Sequence, residues 1–199
     1  MIAIIDYGAG NLRSVRKAFN HLKVKNIIAT GAEDLNDVKG IVLPGVGAFG
    51  KAMKKLKENN FYEGIKNCIS AGTPFLGICL GMQMLFEEST ESENVRGFGI
   101  FKGECERFKK GKVPQIGWNQ INIVKESPLL EGIPDKTFFY FLHGYYVEAK
   151  NPDIITAKTD YFIEYTSIIE KGNIFGVQFH PEKSGKMGLQ MLRNWVELC

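Results

Sequence analysis

The sequence is short of the features that mark several large classes of protein. Its four cysteines (Cys68, Cys79, Cys105 and Cys199) form no CxxC pair, and only three histidines are present to join them. No cysteine–histidine metal cluster is therefore expected. A disulfide framework is not expected at this size either, which points to a reducing compartment. No apolar run approaches membrane-spanning length. The chain opens directly on a strand without a basic leader, so no signal peptide is expected and the location reads as cytoplasmic. Charge of one sign is also lacking. The balance of 25 basic against 22 acidic residues leaves +3, too little to make nucleic acid the main ligand. Lysines gather at Lys51, Lys54, Lys55 and Lys57 and again at Lys109, Lys110 and Lys112, and read as solvated helix faces and a turn. There is no internal repeat, low-complexity segment or linker. The 199 residues thus read as one domain, 1–199, with no metal, no cofactor, and neither nucleic acid nor membrane as a partner.

What is present is an alternation of strands and helices. Ile2–Asp6 reads as a buried strand, closed by the glycine-containing turn Tyr7–Asn11. Leu12, Val15, Phe19 and Leu22 recur at helical spacing, and Val24–Ala29 forms a second strand. A helical turn over Asp34–Val38 leads to a third strand, Gly40–Leu43. Helices follow over Lys51–Glu58 and along the stripe Phe61, Ile65, Cys68 and Ile69, the latter ending at Gly72. Beyond Gly97 the texture turns to short β segments: Ile100–Phe108, Val113–Val124, Phe138–Val147, Ile154–Thr159, Ile163–Glu170 and Ile174–Phe179. Met187–Leu198 closes as a helix. The pattern predicts an α/β fold. Its central sheet is open and mostly parallel, with helices on both faces and antiparallel strands added in the C-terminal half.

The chain is organised around Thr73–Glu87, TPFLGICLGMQMLFE. An apolar strand, Pro74–Ile78, turns sharply through Gly77-Ile78-Cys79-Leu80-Gly81 into a segment of helical spacing. Gly-x-Cys-x-Gly between strand and helix is the thiol form of a nucleophile elbow. The glycines leave room for a strained turn, and a helix N-terminus favours the thiolate. A buried structural cysteine is the plainer alternative, and the strand–turn–helix setting argues against it. A thiol nucleophile needs a base. His21 sits near the end of the first helix. His143, in an aromatic strand, is either a satisfied core histidine or part of a pocket wall. His180 ends an apolar strand and precedes Pro181-Glu182; if that segment stays extended, His180 and Glu182 share a side. A carboxylate on one imidazole nitrogen leaves the other free to take the thiol proton. Cys79, His180 and Glu182 therefore form a candidate acyl-transfer triad. The loop after the third strand, Pro44–Gly50, should lie beside the elbow, beyond the carboxyl ends of the strands. Gly45 and Gly47 would let main-chain amides approach a developing oxyanion, and a glycine-rich connection without chemistry is the equal alternative. The Walker lysine pattern of a phosphate loop is absent.

GICLGMQ at Gly77–Gln83 and HPE at His180–Glu182 resemble the triad (class I) glutamine amidotransferases. Within that family, DYGAGN (residues 6–11), PGVGAFG (44–50), VPQIGWN (113–119) and HPEKSG (180–185) are similar to the branch formed by the glutaminase subunits of imidazole glycerol phosphate synthase. The resemblance spans essentially the whole chain. It implies that Cys79 attacks the side-chain amide of glutamine, with the oxyanion held by amides near Val46, Gly47 and Leu80. It also implies that Gln83, Gly144 and Tyr145 bind glutamine. The implied partner is a (β/α)8-barrel cyclase subunit, in a heterodimer with ammonia passed between the two, and Asn11, Trp118, Tyr140 and Lys183 would face it. Read without the resemblance, those four are an N-cap, two core aromatics and a surface charge. Two positions depart from the family's usual pattern: Gln115, where histidine is usual, and Gly144, where serine or threonine is. Paralogues that supply ammonia for amidation of N-acetyl sugars stand as an alternative, as does a non-catalytic regulatory subunit.

Overall fold

A computed structural model describes residues 1–8 and 10–199; Ala9, within the turn read between the first strand and helix, lies outside the described residues. The first half follows the expected alternation. The order is β1 (Ile2–Ile5), α1 (Leu12–His21), β2 (Asn26–Ala29), β3 (Gly40–Gly45), α2 (Phe49–Glu58), α3 (Phe61–Ser70) and β4 (Phe75–Cys79). A one-turn helix, α4 (Leu80–Gln83), then leads into β5 (Glu88–Ser89), β6 (Gly103–Arg107), β7 (Gln115–Gln120) and β8 (Asn122–Ile123). The chain finishes with β9 (Phe138–His143), β10 (Tyr145–Ala149), β11 (Ile155–Asp160), β12 (Glu164–Lys171), β13 (Ile174–Val177) and α5 (Gly185–Glu197). Among the described residues the main sheet holds 11 strands along the order β2-β1-β3-β4-β13-β12-β10-β6-β5, with β11 beside β12 and β8 beside β11.

From β2 to β13 the neighbours run parallel, and from β13 through β12 and β10 to β6 they alternate in direction. Parallel strands must be covered on both faces, and the strand residues divide accordingly. Ala3, Ile5, Ile41 and Leu43 pack with Phe49, Met53, Phe61 and Ile65 of α2 and α3. Their alternates Ile2, Ile4, Val42 and Leu76 pack with Val15 and Phe19 of α1 and Leu192 and Trp195 of α5. The period of two along each strand thus feeds two cores. No helix is long and apolar enough to cross a membrane among the described residues.

Several elements differ from the sequence reading. The helical turn expected at Asp34–Val38 is a 3-10 helix at Ala32–Leu35, and the β segment expected over Ile100–Phe108 pairs only from Gly103. The helix after Cys79 stops after one turn, because the Met84, Leu85 and Phe86 carbonyls accept from the N–H groups of Phe98, Ile100 and Gly99 instead of from a following helical turn. Phe138–Val147 is not one strand. It breaks at Gly144, and β9 pairs with β7 in a separate two-stranded ribbon while β10 joins the main sheet. Val113–Val124 likewise divides into β7 and β8. Not every late strand is antiparallel: β13 enters parallel to β4, with Val177 opposite Ile78. That insertion brings the end of β13 beside the end of β4.

Candidate active site

Cys79 closes β4 with φ 55° and ψ −110°, a conformation that costs an L-residue about 1–3 kcal/mol and persists only where its surroundings impose it. Two glycines do so. A Cβ on Gly77 would meet the Gly81 carbonyl at 2.7 Å and Met82 N at 2.8 Å, and one on Gly81 would overlap the Leu43 carbonyl oxygen. A side chain at Gly77 would push the arms of the turn apart, and one at Gly81 would push the turn off β3. Leu80 is the first helical residue, so its N–H has no acceptor within the helix. With only four residues in α4, the helix-dipole contribution expected for the thiolate shrinks to the local amides, since the macrodipole is a sum over aligned peptides. Cys79 as a whole is 5% exposed. The Cys79 thiol lies 3.7 Å from the Leu142 carbonyl, and the Gln178 Nε2 donates to the sulfur at 3.6 Å.

His180 follows β13, and its imidazole lies close enough to Cys79 to feel the charge of the sulfur. The segment does not stay extended, as the sequence reading supposed: Pro181–Lys183 forms a 3-10 turn. The turn still brings the two side chains together, with His180 Nδ1 2.9 Å from Glu182 Oε1 and the side chains 2% and 1% exposed. Main-chain bonds lock the turn, with His180 N–H donating to the Tyr140 carbonyl and Ser184 Oγ to the His180 carbonyl at 2.7 Å. The carboxylate accepts from Nδ1–H, which leaves Nε2, buried and without a hydrogen bond. Burial opposes a charge on His180. The Cys79 sulfur and Glu182 carboxylate outweigh it and raise the imidazole pKa to about 10.

A cavity of about 460 Å³ opens over Cys79. One wall is Val46 and Gly47 at the end of β3, where Gly47 has φ +97° and so favours glycine. Leu80 and Gln83 form the floor beside Cys79, and Leu142 to Tyr145 stand opposite. Gln83 Nε2 donates to the Tyr145 carbonyl (2.9 Å) and to Gln178 Oε1 (3.1 Å). Glu91 also lines the cavity. Its Oε2 accepts from Phe49 N–H at 2.7 Å while Ser92 Oγ accepts from Gly50 N–H at 2.9 Å, so this segment caps α2 and carries a carboxylate to the cavity.

The family model described as glutamine amidotransferase class-I matches residues 3–198. The chain belongs to that family. It is 51% identical to the imidazole glycerol phosphate synthase subunit HisH of Methanocaldococcus jannaschii over the whole of both chains. It is 50% identical to the HisH subunit of Methanothermobacter thermautotrophicus over all of this chain and 98% of that one. Its fold matches a glutamine amidotransferase crystal structure with a TM-score of 0.80 at 17% identity, covering 100% of this chain and 98% of the other. A PurLQS structure from Thermotoga maritima matches at 0.79 and 18% identity, covering 98% and 97%.

In this amidotransferase the residues singled out from the sequence fall into two groups. Cys79, His180, Glu182, Val46, Gly47, Leu80, Gln83, Gly144 and Tyr145 lie in or directly behind the cavity. Trp118 (56% exposed), Tyr140 and Lys183 form a patch on the β7–β9 ribbon and the adjoining turn. Trp118 and Tyr140 meet edge to face at 6.1 Å, and Lys183 Nζ stands 5.7 Å over the Tyr140 ring. Asn11 stands at the N-cap position of α1, but its side chain makes no capping bond, and α1 packs on the same Pro181–Lys183 turn. His143 proves to be both a satisfied core histidine and a wall of the cavity. Its Nδ1–H donates to the Tyr145 carbonyl at 2.8 Å and Nε2 lies 3.2 Å from the Tyr165 hydroxyl. Burial, reinforced by His180, pushes its pKa down to about 4 despite the Tyr145 bond, so it stays neutral at physiological pH. Gln115 is 3% exposed and within 2.9 Å of the same Tyr165 hydroxyl. This departure therefore sits beneath the cavity wall, away from the exposed patch. A Cβ on Gly144 would meet Val113 Cγ1 at 3.4 Å, an ordinary contact. Sequence reasoning missed Glu91 and Gln178. Glu91 lay in what read as a polar surface loop, with no spacing to mark it. Gln178 lay in an apolar strand, where a lone buried amide was the only available signal.

Proposed function

We propose that this amidotransferase is the glutaminase subunit of an imidazole glycerol phosphate synthase. In this role it releases ammonia from glutamine at Cys79 and passes it to a cyclase subunit. The observation that supports it best is the meeting of the strained Cys79 with the buried His180–Glu182 pair at one cavity, in a chain similar along its whole length to HisH subunits. The thiolate attacks the side-chain carboxamide carbon, and the oxyanion forms toward the amides of Val46, Gly47 and Leu80. Imidazolium His180 gives its proton to the departing ammonia, leaving a glutamyl thioester. Water, deprotonated by His180, then attacks that carbonyl carbon and the sulfur departs as thiolate, yielding glutamate. Glu182 holds the imidazole in the tautomer both steps need. Gln83, Gly144 and Tyr145 line the substrate's path, and Glu91 supplies a negative charge for the α-ammonium of glutamine.

Ammonia released into neutral water is mostly ammonium and no longer nucleophilic, which makes a docked acceptor enzyme necessary. The patch of exposed Trp118, half-buried Tyr140 and exposed Lys183, with Asn11 at the start of the adjoining helix, is the face offered to the cyclase barrel; tryptophan and tyrosine recur at the centres of interfaces, and Lys183 supplies a charge at its rim. The two proteins work as a heterodimer in the cytoplasm. The sugar-amidation alternative gains no support from relatives named as synthase subunits, and a regulatory role would not require the complete cysteine–histidine–glutamate set. In the complex, Cys79→Ala abolishes glutamine-dependent synthesis and leaves synthesis from added ammonium salts intact. Loss of both activities, or of neither, refutes the assignment.

A further inference from the structure

A thiolate on a residue only 5% exposed, at the head of a one-turn helix, needs donors other than water and a macrodipole. We propose that Gln178 is a positioning residue that donates a hydrogen bond to the Cys79 sulfur and, through its other end, fixes Gln83 at the cavity floor. This rests on the reading of Cys79 as the nucleophile and extends it to a residue outside the triad.

The argument runs through the chemistry of three groups. The Tyr145 carbonyl oxygen can only accept, so the end of Gln83 that lies 2.9 Å from it is the amide nitrogen. That same nitrogen has a second hydrogen, which meets the Gln178 side chain at 3.1 Å, so the facing atom of Gln178 is its oxygen. The nitrogen of Gln178 must then be the end directed at Cys79 Sγ, 3.6 Å away. Turning either amide over would set oxygen against oxygen or nitrogen against nitrogen in a space closed to water. One backbone carbonyl therefore fixes the orientation of two amides and aims an N–H at the sulfur. Gln178 cannot drift from this position, since its side chain is 0% exposed and its main-chain N–H is bonded to the Ser167 carbonyl at 2.9 Å.

The sulfur thus sits between an acceptor and a donor. The Leu142 carbonyl, at 3.7 Å, takes the proton of the neutral thiol. The Gln178 N–H serves the anion, because a thiol is a weak acceptor and a thiolate a strong one. The bond strengthens as the nucleophile forms, and it is independent of His180.

The test is the pH dependence of Cys79 alkylation by iodoacetamide, read by mass spectrometry on the Cys79 peptide in the parent, Gln178→Leu and Gln178→Glu chains. Losing a charge-assisted hydrogen bond is expected to move the half-maximal pH up by about one unit in Gln178→Leu, which slows alkylation about tenfold at pH values well below the parent's midpoint. In Gln178→Glu, which keeps an oxygen for Gln83 but turns a carboxylate toward the sulfur, the midpoint rises at least as far. The rate at high pH, where the thiol is fully ionised, stays within about twofold of the parent. A midpoint unmoved in either folded variant overturns the proposal, and so does a high-pH rate that collapses while the midpoint stays put. Failure of both variants to fold overturns it as well, for Gln178 would then be holding the sheet and not the sulfur. Thiol acidity is read without glutamine turnover. Failure here therefore leaves the glutaminase assignment standing, and failure of the Cys79→Ala test leaves this measurement valid.

Discussion

Replacing Glu182 by glutamine removes a charge from the site while keeping an oxygen that accepts from His180. The structure gives the scale of the effect. Nδ1 and Oε1 are 2.9 Å apart and the two side chains are 2% and 1% exposed, so water screens the pair little. Unit charges centred about 4 Å apart attract by about 4 kcal/mol at an effective permittivity of about 20. The retained hydrogen bond and local relaxation recover part of that, leaving a loss of about 2–3 kcal/mol, equivalent to about 1.5–2 pH units. The sign follows from the environment of His180. Burial pushes its pKa down, and Cys79 and Glu182 together hold it up at about 10, so removing one of those two anions brings it down. In the proposed mechanism the imidazolium, present below its pKa, stabilises the thiolate and carries the proton for ammonia, and that function is lost as pH rises through the pKa. In Glu182→Gln the alkaline limb of the glutamine kcat/KM profile should therefore move down by about 1.5–2 units. Near neutral pH, which lies below both the parent and the shifted pKa, turnover should fall less than about twofold, and the loss should grow to about 15- to 50-fold by about pH 10. Because Glu182 does not line the cavity, KM for glutamine should change less than about twofold. The assay is steady-state glutamine hydrolysis by the complex between about pH 6 and 10. Parent-like turnover with an unmoved alkaline limb would show that the charge on Glu182 is not what sustains the imidazolium.

The two glycine environments predict opposite tolerance. Gly77→Ala sets a methyl 2.7 Å from the Gly81 carbonyl. It should cost about 1–3 kcal/mol in urea denaturation and reduce turnover about 10- to 100-fold as the elbow opens. Gly144→Ser, whose Cβ makes only ordinary contacts, should stay within about 0.5 kcal/mol of the parent; the reverse ranking would contradict the geometry of the turn. Trp118→Ala removes a ring already 56% exposed, so thermal stability of the isolated subunit should be unchanged. Binding to the cyclase by calorimetry should weaken by about 2 kcal/mol, or about 30-fold. Unchanged affinity would remove the ribbon from the interface.

Local pattern accounts for much of what could be read in advance. The two-residue period of β1 and β3 and the helical spacing in α1 to α3 mark which faces are buried. The Gly-x-Cys-x-Gly sequence marks the elbow because each glycine relieves a collision with backbone only a few residues or one strand away. Such features depend on near neighbours, and near neighbours are written in the sequence. The one-turn length of α4 was not legible, because competing bonds from Phe98 to Ile100, beyond the turn itself, decide where the helix stops. Neither was the break at Gly144, since the aromatic run of β9 and β10 keeps a strand pattern across the point where the chain changes sheets.

By itself, then, the sequence determined an α/β chain with a thiol held in a strained turn, a histidine with its own carboxylate two residues away, and a glycine loop suited to bare amides. Only the tertiary structure decided that these meet. Burial on both faces draws β13 in beside β4 in parallel, although about a hundred residues separate them. Parallel neighbours end on the same side, so His180 arrives at Cys79 and brings Gln178 with it. A separate long-range contact, the bond from Phe49 N–H at the start of α2, turns Glu91 from a loop carboxylate into part of the cavity wall. Those encounters depend on which surfaces can exclude water together, a property of the whole fold that no short stretch of the chain contains.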